Sequence, residues 1–290
     1  MKIFFSPFKN PYLNLALEDY FLRAKEDLPL VLFYVNRPCV VFGRFQNPWV
    51  ESNLMYLSLQ DIWPVRRQSG GGCVFHDEGN LNFSYISPDP VLQRSYFSQL
   101  LREAFLKVGI ELEISPRNDL FLKGKKISGS AYKQTKSGSF HHGTFLVNSD
   151  LTALEASLKA SLNPSNTKSI SSVRSQVTSL EEHFPFIKIE DVVEFVSHFF
   201  NQEVLSIEGT LLSSPLLQES FYRLISWDWI WGETPYFEIQ DKIKVRKGNL
   251  LPPLEGRFSK ENLLSVVSEK ELEQWFPDFS ELHKSNNLIF

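Results

Sequence analysis

Cysteine is nearly absent. The 290 residues hold only Cys39 and Cys73, too few for a disulfide framework and without the CxxC spacing of a zinc site, which fits a reducing compartment. No stretch approaches the roughly 18 continuous apolar residues that a membrane span requires. Neither sign of charge dominates: 30 Lys and Arg are set against 34 Asp and Glu, the formal net charge is -4, and the basic residues are scattered. That dispersal argues against both a nucleic-acid partner and a membrane surface. The opening MKIFFSPFKNPYLN has neither a signal peptide's charged, apolar and small-residue progression nor the Arg-rich face of a transit peptide, so the cytoplasm is the expected address.

What is present suits a globular protein. Apolar residues make up 42% of the chain and charged residues 22%, with 25 Phe, 6 Trp and 9 Tyr to fill a core. The length allows one large domain with an appendage or two ordinary ones. Leu13, Leu17, Tyr20 and Phe21 recur at helical spacing and predict a helix over 12–24. Leu30 to Val35 and Cys39 to Gly43 are β-branched and aromatic runs flanking the turn triplet Asn36-Arg37-Pro38, which predicts a hairpin of adjacent strands. Further strands are expected at 63–67, 81–86 and 139–147, a hairpin at 119–128 around Gly124, and helices at 97–108, ended by Gly109, and at 189–200. Clustered strands with helices between them predict an α+β domain with a mixed sheet. Between 157 and 179, eight serines and Asn163-Pro164 show little periodicity and predict a mobile loop. A boundary near 225, before Trp227, Trp229 and Trp231, divides a domain of residues 1–225 from a small C-terminal unit of residues 226–290.

The densest chemistry lies in Arg66-Arg67-Gln68-Ser69-Gly70-Gly71-Gly72-Cys73-Val74-Phe75-His76-Asp77-Glu78-Gly79-Asn80. Three glycines after a strand give a backbone that tolerates φ > 0 and approaches a ligand closely, so that its N–H groups can line up on an oxyanion. Arg67 beside it brings a fixed charge and a planar fork for phosphate or carboxylate. Taken alone, the triplet serves equally well as a tight turn beside a solvated arginine pair; it is neither a Walker A loop nor a GxGxxG dinucleotide turn. A second cluster runs Arg117-Asn118-Asp119-Leu120, then Lys125-Lys126-Ile127-Ser128-Gly129-Ser130-Ala131-Tyr132. A lysine on a strand before a Ser-Gly-Ser turn can offset charge on a carboxylate or α-phosphate, and Asp119 can position either that lysine or a magnesium ion. By itself a lysine pair is more often a solvated strand end. In Phe140-His141-His142-Gly143-Thr144 a histidine offers a base, although such a residue is more often a hydrogen-bonded core group. No Cys or carboxylate stands at zinc-ligand spacing, so no protein metal site is expected.

In this order, these segments resemble the lipoate–protein ligase family. The match begins with Asn14-Leu15-Ala16-Leu17-Glu18 and Gly43-Arg44-Phe45-Gln46-Asn47-Pro48-Trp49 and takes in the whole glycine segment. It continues through Arg117 to Leu120, Lys126 to Ala131, His141 to Thr144, and Ser172-Val173-Arg174-Ser175-x-Val177-Thr178, covering roughly residues 10–180. The resemblance implies a biotin/lipoate-ligase catalytic fold of the class II synthetase-like kind. It also implies two half-reactions: lipoate and ATP give lipoyl-AMP and pyrophosphate, then a target lysine displaces AMP to form an amide. On the same resemblance Lys126 is the central catalytic residue, touching the acyl carbonyl and the phosphate. Arg67 and the backbone of Gly72, Cys73, Val74 and Phe75 bind nucleotide; Ser69, Gly70 and Gly71 shape the wall of a lipoyl tunnel. Asp119 assists at the phosphates or Mg2+, and the loop around Ser172 to Ser175 closes over the adenylate, as protection of a water-sensitive anhydride requires. The implied partners are lipoyl carrier domains of 2-oxoacid dehydrogenase E2 subunits or the glycine cleavage H protein.

Alternatives come from the tail and from Cys73. Trp227-Asp228-Trp229-Ile230-Trp231-Gly232-x-Thr234-Pro235 resembles the start of the family's accessory domain, yet only about 55 residues follow, so an abbreviated accessory unit is expected. That shortness keeps open a lipoyltransferase that accepts preformed lipoyl-AMP. A thioester-type octanoyl or lipoyl amidotransferase would use Cys73, where nearby cations favour a thiolate. Related octanoyltransferases carry their thiol near the segment that is here Gly138 to His141, which has none, and Cys73 is read as a small apolar filler. A catalytically silent binding module is disfavoured by the retained Arg67, Lys126 and glycine segment, and a biotin ligase by the different surroundings of its glycine turn.

Overall fold

The computed structural model describes residues 1–160, 166–239 and 243–245. The first half of the chain comprises β1 (Lys2–Phe5), α1 (Pro11–Ala24), β2 (Leu30–Val35), β3 (Cys39–Phe42), α2 (Pro48–Glu51), α3 (Leu54–Leu59), β4 (Trp63–Arg66), β5 (Val74–His76), β6 (Asn80–Ser87) and α4 (Tyr96–Lys107). There follow β7 (Glu113–Ile114), β8 (Leu120–Leu122), β9 (Lys125–Ser128), β10 (Ser130–Thr135), β11 (Gly138–Leu146) and α5 (Leu151–Leu158). The remainder is β12 (Asn166–Thr167), α6 (Ile189–Phe200), β13 (Val204–Ser206), α7 (Pro215–Ile225), β14 (Phe237–Ile239) and β15 (Ile243–Val245).

A mixed sheet of order β10-β11-β6-β2-β1-β13 forms the spine, with β1 parallel to β2 and β13 and the other pairs antiparallel. Successive strand residues point to opposite faces, and both faces of β2 are covered, which is why LVLFYV reads as an unbroken apolar run. Leu30, Leu32 and Tyr34 join the core beneath α1 and α7, whereas Val31 and Phe33 join the core beneath α4 and α6. Helix α1 starts where Asn10 accepts the N–H groups of Tyr12 and Leu13, with Pro11 in its first turn, a pairing that satisfies donors the helix itself leaves open. Smaller sheets, β4-β3-β5 and β7-β8-β9, carry the two motif clusters beside the spine.

The expected α+β architecture with a mixed sheet is present, but the hairpin over 30–43 is not. Strand β2 lies between β1 and β6, so both its edges are occupied, and β3 pairs instead with β4 in parallel and β5 antiparallel. The triplet after β2 is a crossing between sheets, pinned where the buried Asn36 side chain meets Asn14 and His76. The 119–128 hairpin forms around Gly124, whose φ is 76°. Strand β10 and helix α7 were not anticipated. Of the expected serine-rich loop, 161–165 lie outside the described residues, while the part beyond them is tied to β9: Lys126 N–H donates to Gln176 O at 2.9 Å and Thr178 N–H to Lys126 O at 3.1 Å.

Helix α7 ends at Ile225. From there Trp231 packs edge-on to Trp49, ring centroids 5.2 Å apart, and Phe237 stacks on the same indole at 5.7 Å. Most of the expected unit of residues 226–290 lies outside the described residues. Among the described residues no helix is long and apolar enough to cross a membrane.

Candidate active site

Two adjacent arginines at the end of β4 build the glycine turn. Arg66 is wholly buried; its Nε donates to Ile230 O at 2.9 Å, its Nη1 to the carbonyls of Gly43, Arg44 and Gln46 at 3.2, 3.1 and 2.9 Å, and its Nη2 to Thr234 Oγ1 at 3.0 Å. Arg67 donates from Nε to Ser69 Oγ at 2.9 Å, from Nη1 to Val41 O at 3.0 Å, and from Nη2 to both Gly70 O and Gly72 O at 2.7 Å. Burial lowers Arg66 to about 9 and Arg67 to about 10, still protonated at neutral pH. The fork of Arg67, expected to grip a ligand, thus clamps its own turn while its charge lines a cavity. Gly71 sits at φ 90°, and Gly43 approaches it so closely that a Cβ there would lie 2.2 Å from Gly71 O.

Lys126 faces this turn across the cavity. Its Nζ lies 3.0 Å from Asp119 Oδ2, and Asp119 Oδ1 accepts Ser130 N–H at 3.0 Å, so the carboxylate aims the ammonium, the first of the two roles expected for it. The absence of a side chain at Gly129 leaves room for that ammonium, which would lie only 3.3 Å from a Cβ there. Arg67, Gly71, Gly72, Cys73, Val74, Asp119 and Lys126 all line a narrow cavity of about 210 Å³. Lys126, Cys73, Val74, Gly129, Thr144, Ser172 and Val173 also line an adjoining cleft of about 960 Å³, which Phe75 borders as well. Lys126 therefore stands at a threshold between two spaces. Ser69 and Gly70 border neither and act from behind the wall.

Two further clusters complete the site. His142 Nε2 lies 2.6 Å from Ser69 Oγ and its Nδ1 2.9 Å from Glu18 Oε1, which also accepts from Tyr34 OH at 2.9 Å. His142 borders the narrow cavity, whereas its neighbour His141 turns to the other face of β11, stacked on Tyr132 at 4.3 Å and lowered by burial to about 3. Ser172 Oγ accepts Cys73 N–H at 2.8 Å and Gln46 Nε2 at 2.9 Å and donates to Glu51 at 2.5 Å, latching the 168–177 segment onto the glycine turn. Glu18 and Gln46 lie inside the motifs quoted above and Glu51 two residues beyond one of them, but nothing in their spacing says which side chain each meets. Among the described residues no group of three His, Cys, Asp or Glu could hold a metal ion.

Residues 10–201 match the family model described as the lipoyl protein ligase A/B catalytic domain, a span that opens at the cap of α1 and closes at the end of α6. The chain belongs to this family. It is an enzyme of the lipoate ligase type. The chain is similar to a lipoate-protein ligase A of Psychrobacter cryohalolentis, 37% identical over 251 residues that cover 82% of this chain and 74% of the relative. Among solved structures it is similar to P. falciparum LipL1 in complex with lipoate, with a TM-score of 0.70 at 26% identity over 81% of this chain and 74% of that one. It is also similar to a lipoate-protein ligase A bound with ATP, with a TM-score of 0.62 at 25% identity over 76% of this chain and 94% of that one. A third likeness is to a bipartite lipoate protein ligase from Thermoplasma acidophilum, solved in a study that included its E2 lipoyl domain, with a TM-score of 0.62 at 25% identity over 77% and 92%.

Proposed function

We propose that this ligase activates lipoate with ATP to lipoyl-AMP and transfers the lipoyl group to a lysine of an apo carrier domain, a 2-oxoacid dehydrogenase E2 subunit or the glycine cleavage H protein. The observation that carries this is the position of Lys126 Nζ, held by Asp119 at the junction of the narrow cavity and the wider cleft. The narrow cavity suits an acyl chain and the cleft a nucleotide, and among the similar structures one was solved with lipoate and another with ATP.

Attack of a carboxylate on the α-phosphate brings two anions together, and only preorganised positive charge at the junction lowers that barrier. Lys126 is the cation placed to touch both, and Arg67 adds charge from the wall. In the second step the target lysine's neutral amine attacks the acyl carbonyl and AMP leaves with the C–O electron pair. Lys126 then offsets the charge on the departing phosphate. Mg2+ is commonly carried by substrate phosphates with one or two carboxylates. Asp119 is the carboxylate beside Lys126 that fits such an ion, and when bound the ion would neutralise phosphate charge. The Ser172 latch keeps water from the mixed anhydride. On the same reading the protein works in the cytoplasm, and residues 226–290 belong to an accessory unit.

Burial, and next the charge of Glu51, push the Cys73 thiol well above its ordinary value. A thioester route needs the thiolate, so Cys73 serves as wall rather than nucleophile. The test incubates the purified protein with an apo carrier domain and lipoate, with and without ATP, and separately with synthetic lipoyl-AMP, reading the carrier's mass. Product from lipoate only when ATP is present is expected. Product from the adenylate alone would replace the ligase with a transferase, and no product from either would overturn both.

A further inference from the structure

One polar group in the narrow cavity has no task in the reaction. His76 is 4% exposed and borders that cavity, and its Nε2 has no hydrogen-bond partner among the described residues. The ring's other nitrogen fixes the tautomer. Asn36 receives Asn14 Nδ2 on its Oδ1 at 2.9 Å, so it presents its own Nδ2–H to His76 Nδ1 at 3.0 Å. Nδ1 must then accept. A neutral ring accepting at Nδ1 carries its proton on Nε2, leaving a buried N–H donor unpaired. Burial, with Arg67 and His142 nearby, lowers the ring to about 3 and keeps it neutral.

Its position says which part of a ligand it meets. Val74 and His76 lie two residues apart on β5 and so share a face, roughly 7 Å apart along the strand. Val74 borders both spaces, but His76 borders only the narrow one, as do Leu15, Val41 and Asn82. If the carboxyl end of the acid lies at Lys126, the tail end lies by His76.

We infer that His76 Nε2–H is a specificity determinant that selects an acid whose tail ends in a hydrogen-bond acceptor, the disulfide sulfur of a dithiolane, over a straight-chain acid that ends in a methyl group. This rests on the ligase reading above. Sulfur is a weak acceptor, but a hydrocarbon end would leave the buried donor unpaired, and sites built to pair a polar group discriminate strongly against ligands that lack its partner.

The test compares kcat/KM for lipoate and octanoate, each with ATP and an apo carrier, in the wild type, His76→Phe and His76→Gln. Wild type is expected to favour lipoate. His76→Phe, a ring without the donor, should reduce the lipoate-to-octanoate ratio about tenfold, and His76→Gln, with an amide N–H near the same place, should restore part of it. A ratio unchanged in His76→Phe overturns the inference. Should that variant not fold, ring 15N NMR of the wild type decides: lipoate should shift the His76 Nε2 resonance more than octanoate does, and equal shifts overturn it. Calorimetry separates the two layers, since binding of neither acid sinks the ligase reading itself, whereas equal binding of both sinks only the role of His76.

Discussion

The two sides of the narrow cavity are built on opposite plans. On the glycine side Arg66 and Arg67 are buried and tie Gly43, Gly70 and Gly72 through their guanidinium groups. On the lysine side a single ammonium leans on one carboxylate, and its strand pairs with β8 and, at Lys126, with 176–178, the end of a loop latched by Ser172. The difference teaches that charge can serve a site in two ways. The glycine side uses cations to hold backbone in a shape that backbone alone would not keep, and the lysine side presents a cation to whatever enters.

Changes on each side should therefore fail differently. Lys126→Ala is expected to slow lipoyl-AMP formation by about 10²–10³-fold, the scale of losing one charged stabiliser, while leaving chemical denaturation within about 1 kcal/mol of wild type. Normal ATP–pyrophosphate exchange in that variant would remove Lys126 from its role. Arg66→Met should instead destabilise the fold by about 3 kcal/mol, because buried carbonyls at 43–46 and 230 lose their donor. An unchanged denaturation midpoint would mean that the clamp is dispensable. Gly43→Ala should cost about 2 kcal/mol by forcing the glycine turn outward, whereas Gly70→Ala, with open space around it, should stay within about 0.5 kcal/mol. Equal effects at the two positions would contradict the close approach described above.

A further expected effect is a shared acid sensitivity. His76 and His141 are held near 3 against an ordinary 6.5, so between those values the unfolded chain binds more protons than the native one. Stability then falls as pH drops below about 6.5, by up to about 1.4 kcal/mol per pH unit for each ring. Thermal unfolding at pH 7 and pH 5 should show the lower midpoint at pH 5, and replacing His141 with Gln should shrink the gap.

Much of this was legible in the chain because local rules and tertiary fate agreed. Leu13, Leu17, Tyr20 and Phe21 share the buried face their spacing predicts, Gly109 and Gly124 end a helix and turn a hairpin, and Lys126 before Ser-Gly-Ser did arrive opposite the glycine triplet. The rest depended on competition among distant groups. Val35 and Cys39 looked like two arms of a hairpin, but β1 and β6 had taken both edges of β2. Arg67 carried the right charge, yet carbonyls of its own turn claimed the fork. Glu18 and His142, 124 residues apart, meet only because α1 packs over the central sheet.

The bonds from Arg66 to Ile230 and Thr234 bear on where this protein can be shortened. A fragment ending with α7 would retain every residue of the narrow cavity and still strip two acceptors from the guanidinium that shapes the 43–46 loop. The stretch just past α7 is thus a splint for the pocket, and a trimmed version should be cut beyond Thr234 rather than before it.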